Sequence, residues 1–188
     1  MNILGLSGSP RKAGNTGWVI SKMLEGAVEK GANTTLRHFG ELNMKPCSGC
    51  FACKKDGSSG CVLKDDMQMI YEDYKKADII ILGSPVYMGQ MTAQAKIFVD
   101  RMFACLSPRF SPHFKESGSP KKKLVLLFTQ GNPDTEKFQQ YFDYTKSMFG
   151  ILELDVVGLY VVEGMRPQSA HEKEGLAESM RDIGISLV

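Results

Sequence analysis

Five apolar runs alternate with five amphipathic stretches along this chain, and that alternation leaves few folds open. The most telling run is Ile79-Ile80-Ile81-Leu82, apolar at every position. A strand with one wet face alternates, so an unbroken run of this kind belongs to a strand covered on both faces, as in a parallel sheet between layers of helices. Strands are predicted over residues 2–7, 34–39, 79–82 and 124–128 and within 154–162. Helices are predicted from about residue 16 to 30, after the capping pair Asp65-Asp66, from about Thr92, around Phe138 to Phe149, and over about 170–183. Mostly short connections join them, so the expected architecture is one domain over residues 1–188, an α/β doubly wound sheet of five parallel strands, taken here in a flavodoxin-like order 2-1-3-4-5.

At 188 residues the chain is long enough for one substantial core. A hydrophobic fraction of 43% and a net charge of +2 argue against a polyanion as partner, so no nucleic acid is expected. Lys121-Lys122-Lys123 reads as a solvated start to the fourth strand, with a docking patch for an acidic redox protein as the alternative. No apolar run approaches the ~20 residues of a membrane span, and Met1-Asn2 leads straight into the first strand, so the expected location is the cytoplasm. In that reducing compartment the five cysteines favour metal ligation or redox chemistry over disulfides.

Chemistry concentrates first in residues 5–16, Gly-Leu-Ser-Gly-Ser-Pro-Arg-Lys-Ala-Gly-Asn-Thr, which close the first strand and open the first helix. A helix N-terminus presents unpaired N–H groups and partial positive charge, so an anion placed there collects several donors at once. Ser7, Ser9, Asn15 and Thr16 add side-chain donors, Arg11 adds a charged fork, and Gly8 and Gly14 let the backbone approach a phosphate. The dinucleotide pattern G-x-G-x-x-G is absent, and Gly14 is followed by Asn15-Thr16 where a Walker loop has Lys and Ser/Thr. A hydroxyl-rich loop without that lysine suits a terminal monophosphate such as that of FMN. A plain capping turn would explain the hydroxyls but not the arginine with two glycines.

Ligands of such sheets bind beyond the strands' carboxyl ends, where the order reverses. Two more turns lie there: Pro85-Val86-Tyr87-Met88-Gly89 after the third strand and Thr129-Gln130-Gly131 after the fourth, both placed to line a flavin ring. Gly89 and Gly131 would let backbone N–H groups approach the ring, while Tyr87 either stacks on it or belongs to the core. His38, His113 and His171 show no metal or triad spacing and read as surface or capping residues.

The second concentration is Cys47-Ser48-Gly49-Cys50-Phe51-Ala52-Cys53, with Cys61 after seven more residues, inside a polar loop over 43–64 that is too long for an ordinary connection. Three thiols at successive x2 spacing can reach neighbouring corners of a cubane, and a fourth from the returning chain completes the ligands of a [4Fe-4S] cluster. Structural zinc is the alternative, although it usually pairs C-x2-C with a second, distant C-x2-C. Cys105 stands apart and reads as a small buried hydrophobe.

Together, SGSPRKAGNT, C-x2-C-x2-C-x7-C, Asp65-Asp66-Met67 and GSPVYMG followed by Lys96 and Asp100-Arg101 resemble the iron-sulfur flavoproteins within the NADPH-dependent FMN reductase family. The likeness runs through residues 3–101, with the TQGNP turn beyond it. It implies a flavodoxin-like fold, FMN in the strand-end crevice and a [4Fe-4S] cluster on Cys47, Cys50, Cys53 and Cys61. It further implies a homodimer or homotetramer that brings one subunit's cluster near another's flavin. By the same resemblance the electrons come from ferredoxin and pass to a small acceptor such as oxygen or peroxide. Relatives without the cluster are NAD(P)H-dependent flavin or quinone reductases, so three classes compete: an iron-sulfur flavoprotein oxidoreductase, a cluster-free NAD(P)H reductase, and a noncatalytic flavodoxin-like carrier or sensor.

Overall fold

The computed structural model describes residues 1–58, 60–106, 121–152, 154–166 and 169–188. Strands β1 (Asn2–Ser7), β2 (Asn33–His38), β3 (Ile79–Tyr87), β5 (Lys123–Thr129) and β6 (Asp155–Val162) pair in parallel in the order β2-β1-β3-β5-β6. The two-residue β4 (Gln90–Met91) pairs only with β3, antiparallel. With β4 set aside, this is the expected 2-1-3-4-5 order. Helices α1 (Asn15–Glu29), α2 (Met67–Lys76), α3 (Ala93–Arg101), α4 (Gln139–Phe149) and α5 (Leu176–Leu187) fill the crossovers and close the chain.

Alternation along the strands assigns the side chains to two cores. Ile3, Ile79, Ile81, Val125 and Leu127 pack under α1 and α5, whereas Leu4, Leu6, Ile80, Leu82, Leu124, Leu126 and Phe128 pack under α2, α3 and α4. Every one of these is buried, as the unbroken run at 79–82 requires.

Helices α1 and α5 touch through glycines. A Cβ on Gly184 would lie 1.8 Å from the Met23 carbonyl oxygen, and one on Gly26 would lie 2.0 Å from that of Arg181. Backbone on both sides cannot yield as a flexible side chain would. Gly184→Ala is therefore expected to force the helices apart at a cost of about 3 kcal/mol, lowering Tm by about 6–12 °C. A thermal melt reads this directly, and an unchanged Tm would mean the two helices are not packed this closely.

Four local expectations are corrected. The third strand does not end at Leu82 but runs to Tyr87 and turns back into β4 through Met88 and Gly89, with φ of 50° and 81°. Positive φ at both central residues is the signature of a two-residue hairpin. Asp66 occupies the cap position of α2 without bonding the helix; its carboxylate accepts from the Asn43 N–H at 2.7 Å, and Asp65 Oδ1 accepts from the Met67 N–H at 3.2 Å. The terminal helix begins at Leu176, after Gly175 at φ 70°, and Ala170–Glu172 form a separate short turn that ends at Lys173. Lys122 is no solvated strand entrance: its ammonium donates to the carbonyls of Lys75 and Ala77, where it neutralises the C-terminal end of α2.

His38 ends β2 half-buried, with its ring against Gly17 of α1 rather than at the surface, and His171 is exposed. His113 and the bulk of the 104–120 loop lie outside the described residues. No helix of the described residues is long and apolar enough to cross a membrane.

Candidate functional site

At the carboxyl ends of β1, β3 and β5 opens a cavity of about 510 Å³, a size usual for small-molecule sites. The loop into α1 contributes Ser9, Pro10, Arg11, Asn15 and Thr16; β3 contributes Pro85, Val86 and Tyr87; the end of β5 contributes Thr129, Gln130 and Gly131; and Met165 closes the far side. Three expected members are elsewhere. Ser7 is wholly buried at the end of β1, while Met88 and Gly89 form the hairpin tip, where Met88 is fully exposed and Gly89 faces the Phe138 ring.

The loop is held in shape by its own bonds. Ser9 Oγ accepts from the Arg11 N–H at 3.1 Å, and the hydroxyls of Thr16 and Thr129 meet at 2.7 Å across the cavity floor. The first intrahelical bond of α1 runs from the Trp18 N–H to the Gly14 carbonyl, so the N–H groups before it are the helix's spare donors. Asn15 was expected to donate with its side chain. Instead its amide is partly occupied: Nδ2 donates to the Arg166 carbonyl at 2.7 Å, and Oδ1 accepts from the Ala170 N–H at 3.0 Å. What Asn15 retains for a ligand is its second Nδ2 hydrogen and its backbone N–H.

The two glycines are also needed for a reason other than phosphate approach. A Cβ on Gly8 would stand 2.7 Å from Ala95 Cβ, and one on Gly14 would stand 2.7 Å from Ser9 Oγ, so both are demanded by packing within the protein. Gln130 is buried with Nε2 donating to the carbonyls of Asn132 and Asp134, whereas Oε1 has no hydrogen-bond partner among the described residues. A buried acceptor without a protein donor suits a ligand N–H. With helix-end donors, the Arg11 fork and the half-exposed Tyr87 at the rim, the donor set matches a phosphate-bearing heteroaromatic ring.

A second cavity, of about 580 Å³, lies on the face covered by α2, α3 and α4, and all four motif thiols, Cys47, Cys50, Cys53 and Cys61, line it. Its remaining wall is largely apolar, from the ends of α3 and α4. Each crossover helix runs back antiparallel to its strand, so these helix ends point away from the strand-end cavity. Among the described residues the two cavities share no lining residue. Cys47 and Cys50 are exposed and Cys53 and Cys61 half-buried, and among the described residues no three Cys, His, Asp or Glu side chains gather tightly enough to hold one metal ion. Cys105 is buried against Met102, and burial pushes its thiol up to about 12, as a small buried hydrophobe requires.

The cysteine loop is fastened at several points. Lys54 Nζ donates to the Phe103 and Leu106 carbonyls beyond α3 and lies 4.2 Å from the centre of the Phe103 ring. Arg101, at the end of α3, pairs with Asp65 at 2.5 Å, and both side chains are essentially without exposure. Burial opposes the ionisation of Asp65 most strongly, yet the Arg101 hydrogen bond and charge and the Lys45 N–H together hold its carboxyl below the usual range.

Comparison with known proteins places this geometry. Residues 1–134 match the model of the NADPH-dependent FMN reductase family. An iron-sulfur flavoprotein of Archaeoglobus fulgidus is 33% identical over 169 residues, covering 87% of this chain and 71% of that protein. The chain belongs to the NADPH-dependent FMN reductase family. Within the family it stands among the iron-sulfur flavoproteins. One from Methanocaldococcus jannaschii is 42% identical over 101 residues, 54% of this chain, and there the chain spans about half (51%) of the relative's length. A solved NAD(P)H:quinone oxidoreductase from Methanothermobacter marburgensis superposes with a TM-score of 0.72 at 17% identity, covering 100% of this chain and 96% of that one, a likeness of fold alone.

Against this family background, sequence reasoning missed Pro10 and Met165 in the strand-end cavity and the Asp65–Arg101 pair beneath the cysteines. Met165 was findable, because the loop after the last strand also ends at the sheet's carboxyl edge. Its N–H donates to the Gln130 carbonyl at 2.9 Å, which ties the two loops together. Nothing in the local pattern announces the ion pair, whose members are 36 residues apart.

Proposed function

We propose that this protein is an iron-sulfur flavoprotein oxidoreductase. It takes single electrons through a [4Fe-4S] cluster on Cys47, Cys50, Cys53 and Cys61, passes them to FMN in the strand-end cavity, and delivers them to a small acceptor. The observation that carries this reading is that all four cysteines of the compact motif line one cavity, separate from the one beside the α1 N-terminus. A single ion needs its sulfurs about 2.3 Å from one point, whereas a cubane spreads its ligands around a body, and thiols ringing a cavity suit the latter. A cluster of this type exchanges one electron at a time while FMN holds one or two, so the pair joins one-electron supply to two-electron chemistry.

The chain's own residues supply the rest. Arg11, Ser9 and the first-turn N–H groups of α1 hold the phosphate; Thr16 and Thr129 shape the floor; Gln130, Gly131, Val86 and Tyr87 contact the ring. Because the two cavities share no wall, a homodimer or homotetramer that sets one subunit's cysteine loop against another's flavin would shorten the electron path. Ferredoxin or NAD(P)H is the donor, and a cytoplasmic, reducing environment keeps the five thiols available.

A cluster-free NAD(P)H-dependent FMN or quinone reductase is the second reading, favoured by the absence of a tight thiol group among the described residues. Anaerobic assay of iron, acid-labile sulfide and flavin separates the two. The first reading expects iron and sulfide alongside FMN, and flavin reduction by reduced ferredoxin. Flavin without iron, with steady NADPH turnover, establishes the second; stoichiometric zinc without sulfide eliminates the cluster.

A further inference from the structure

Among the described residues Arg101 is the largest side chain fully withdrawn from solvent, and neither flavin binding nor thiol ligation as described uses it. Its guanidinium reaches both ends of the cysteine loop. Nη1 donates to the Lys45 carbonyl at 3.2 Å, two residues before Cys47, and to Asp65 Oδ2 at 2.5 Å, four residues after Cys61. Nη2 donates to Cys61 Sγ at 3.4 Å. The Arg101 backbone carbonyl in turn accepts from the Tyr71 hydroxyl at 2.8 Å, and Asp65 Oδ2 also accepts from the Lys45 N–H at 2.8 Å.

A buried ion pair is weak evidence for stability, since apolar residues of similar volume often serve a core as well. This pair lies beside an extensive apolar core, yet two of the guanidinium's acceptors, the Lys45 carbonyl and Cys61 Sγ, belong to the cysteine loop and the third, Asp65, directly follows it. Its Nε is buried without a partner among the described residues, so the cation still has a donor unspent. The arrangement resembles the outer hydrogen bonds that orient metal ligands more than it resembles a core filler.

We infer that Arg101 is the positioning residue of Cys61: it fixes the sulfur that closes the motif, staples the two ends of the loop before any metal arrives, and tunes the potential of what the thiolates hold. The inference rests on the iron-sulfur reading. It also explains how Cys61 serves as fourth ligand despite seven intervening residues, because its position is set by α3 and not by the short spacing that places the other three. A charge-assisted bond to a ligand sulfur strengthens as the sulfur gains negative charge, so Arg101 favours the reduced state.

The test uses two variants of the FMN-loaded protein: Arg101→Lys, which keeps the charge but loses the fork, and Asp65→Leu with Arg101→Met, which leaves no charge buried alone. Retained flavin and a cooperative melt certify the fold. In metal-free protein, amide exchange over residues 43–66 should rise about tenfold in the double variant while α1 and α5 are unchanged. In protein reconstituted anaerobically with iron and sulfide, an EPR-monitored titration should give a lower potential, about 59 mV for a tenfold change in a one-electron equilibrium, with Arg101→Lys intermediate. Unchanged exchange overturns the stapling role, and faster exchange with an unchanged potential reduces Arg101 to a fold anchor; either result defeats the inference. A wild type that takes up no iron and sulfide defeats the iron-sulfur reading itself and takes the inference with it, an outcome distinct from both.

Discussion

Arg11→Ala combined with Thr16→Ala is expected to release FMN from a protein that otherwise stays folded. Arg11 is exposed at the cavity mouth, so its loss removes a charged fork and no packing. Thr16 is buried, and its hydroxyl shares a 2.7 Å bond with Thr129, so the second substitution also leaves the Thr129 hydroxyl without that partner on the cavity floor. Each lost hydrogen bond costs ~1–3 kcal/mol, and the two together should weaken binding by a factor between about 30 and about 10⁴. Flavin fluorescence titration of the apoprotein gives the ratio directly. Asn15→Ala is the informative control. Its side chain ties the loop after β6 to α1 through Arg166 and Ala170, so it should lower Tm more than its place in the phosphate motif suggests. An unchanged FMN affinity in the double variant would remove the α1 loop from the binding site.

These residues also mark where sequence reading succeeds and where it stops. The doubly wound parallel sheet followed from patterns that local physics imposes: an all-apolar run needs two covers, and a loop between strand and helix exposes helix-end donors; the strand order was taken as flavodoxin-like and not from these patterns. The same logic placed Ser9, Arg11, Thr16, Pro85 to Tyr87 and Thr129 to Gly131 around one cavity. It failed at Met88 and Gly89, because a glycine after an apolar strand signals a turn without saying whether the chain turns toward the ligand or away. It gave Gly8 and Gly14 only one of their reasons, since the neighbours that exclude a Cβ, Ala95 and Ser9, are brought there by the fold. Asp65 looked like a helix cap; one of its oxygens does accept from the Met67 N–H at the start of α2, and the other is half of a buried ion pair. A single sequence cannot show which distant side chain a carboxylate will meet.

The cysteine loop carries the prediction with the largest effect. Cys50→Ala should abolish iron and sulfide while leaving FMN bound, because the loop's cavity shares no wall with the strand-end cavity. Cys50 is exposed, so its truncation leaves no hole in the core. Loss of metal should not unfold the loop either: a polar, glycine-rich segment by itself has little reason to order, but this one is fastened by Lys54 to the Phe103 and Leu106 carbonyls and by Arg101 to Lys45 and Asp65. Its melting temperature should therefore stay near that of the metal-free wild type, unlike small zinc domains whose folding energy is the metal's. Electron transfer from reduced ferredoxin to flavin should fall steeply, with the flavin still reducible by dithionite. Cys105→Ala, which alters a buried thiol that is not itself part of the described lining of the motif's cavity, should keep its iron and lose stability instead, as a small core truncation does. Full iron and sulfide in the Cys50→Ala protein would show that the compact motif is not the ligand set.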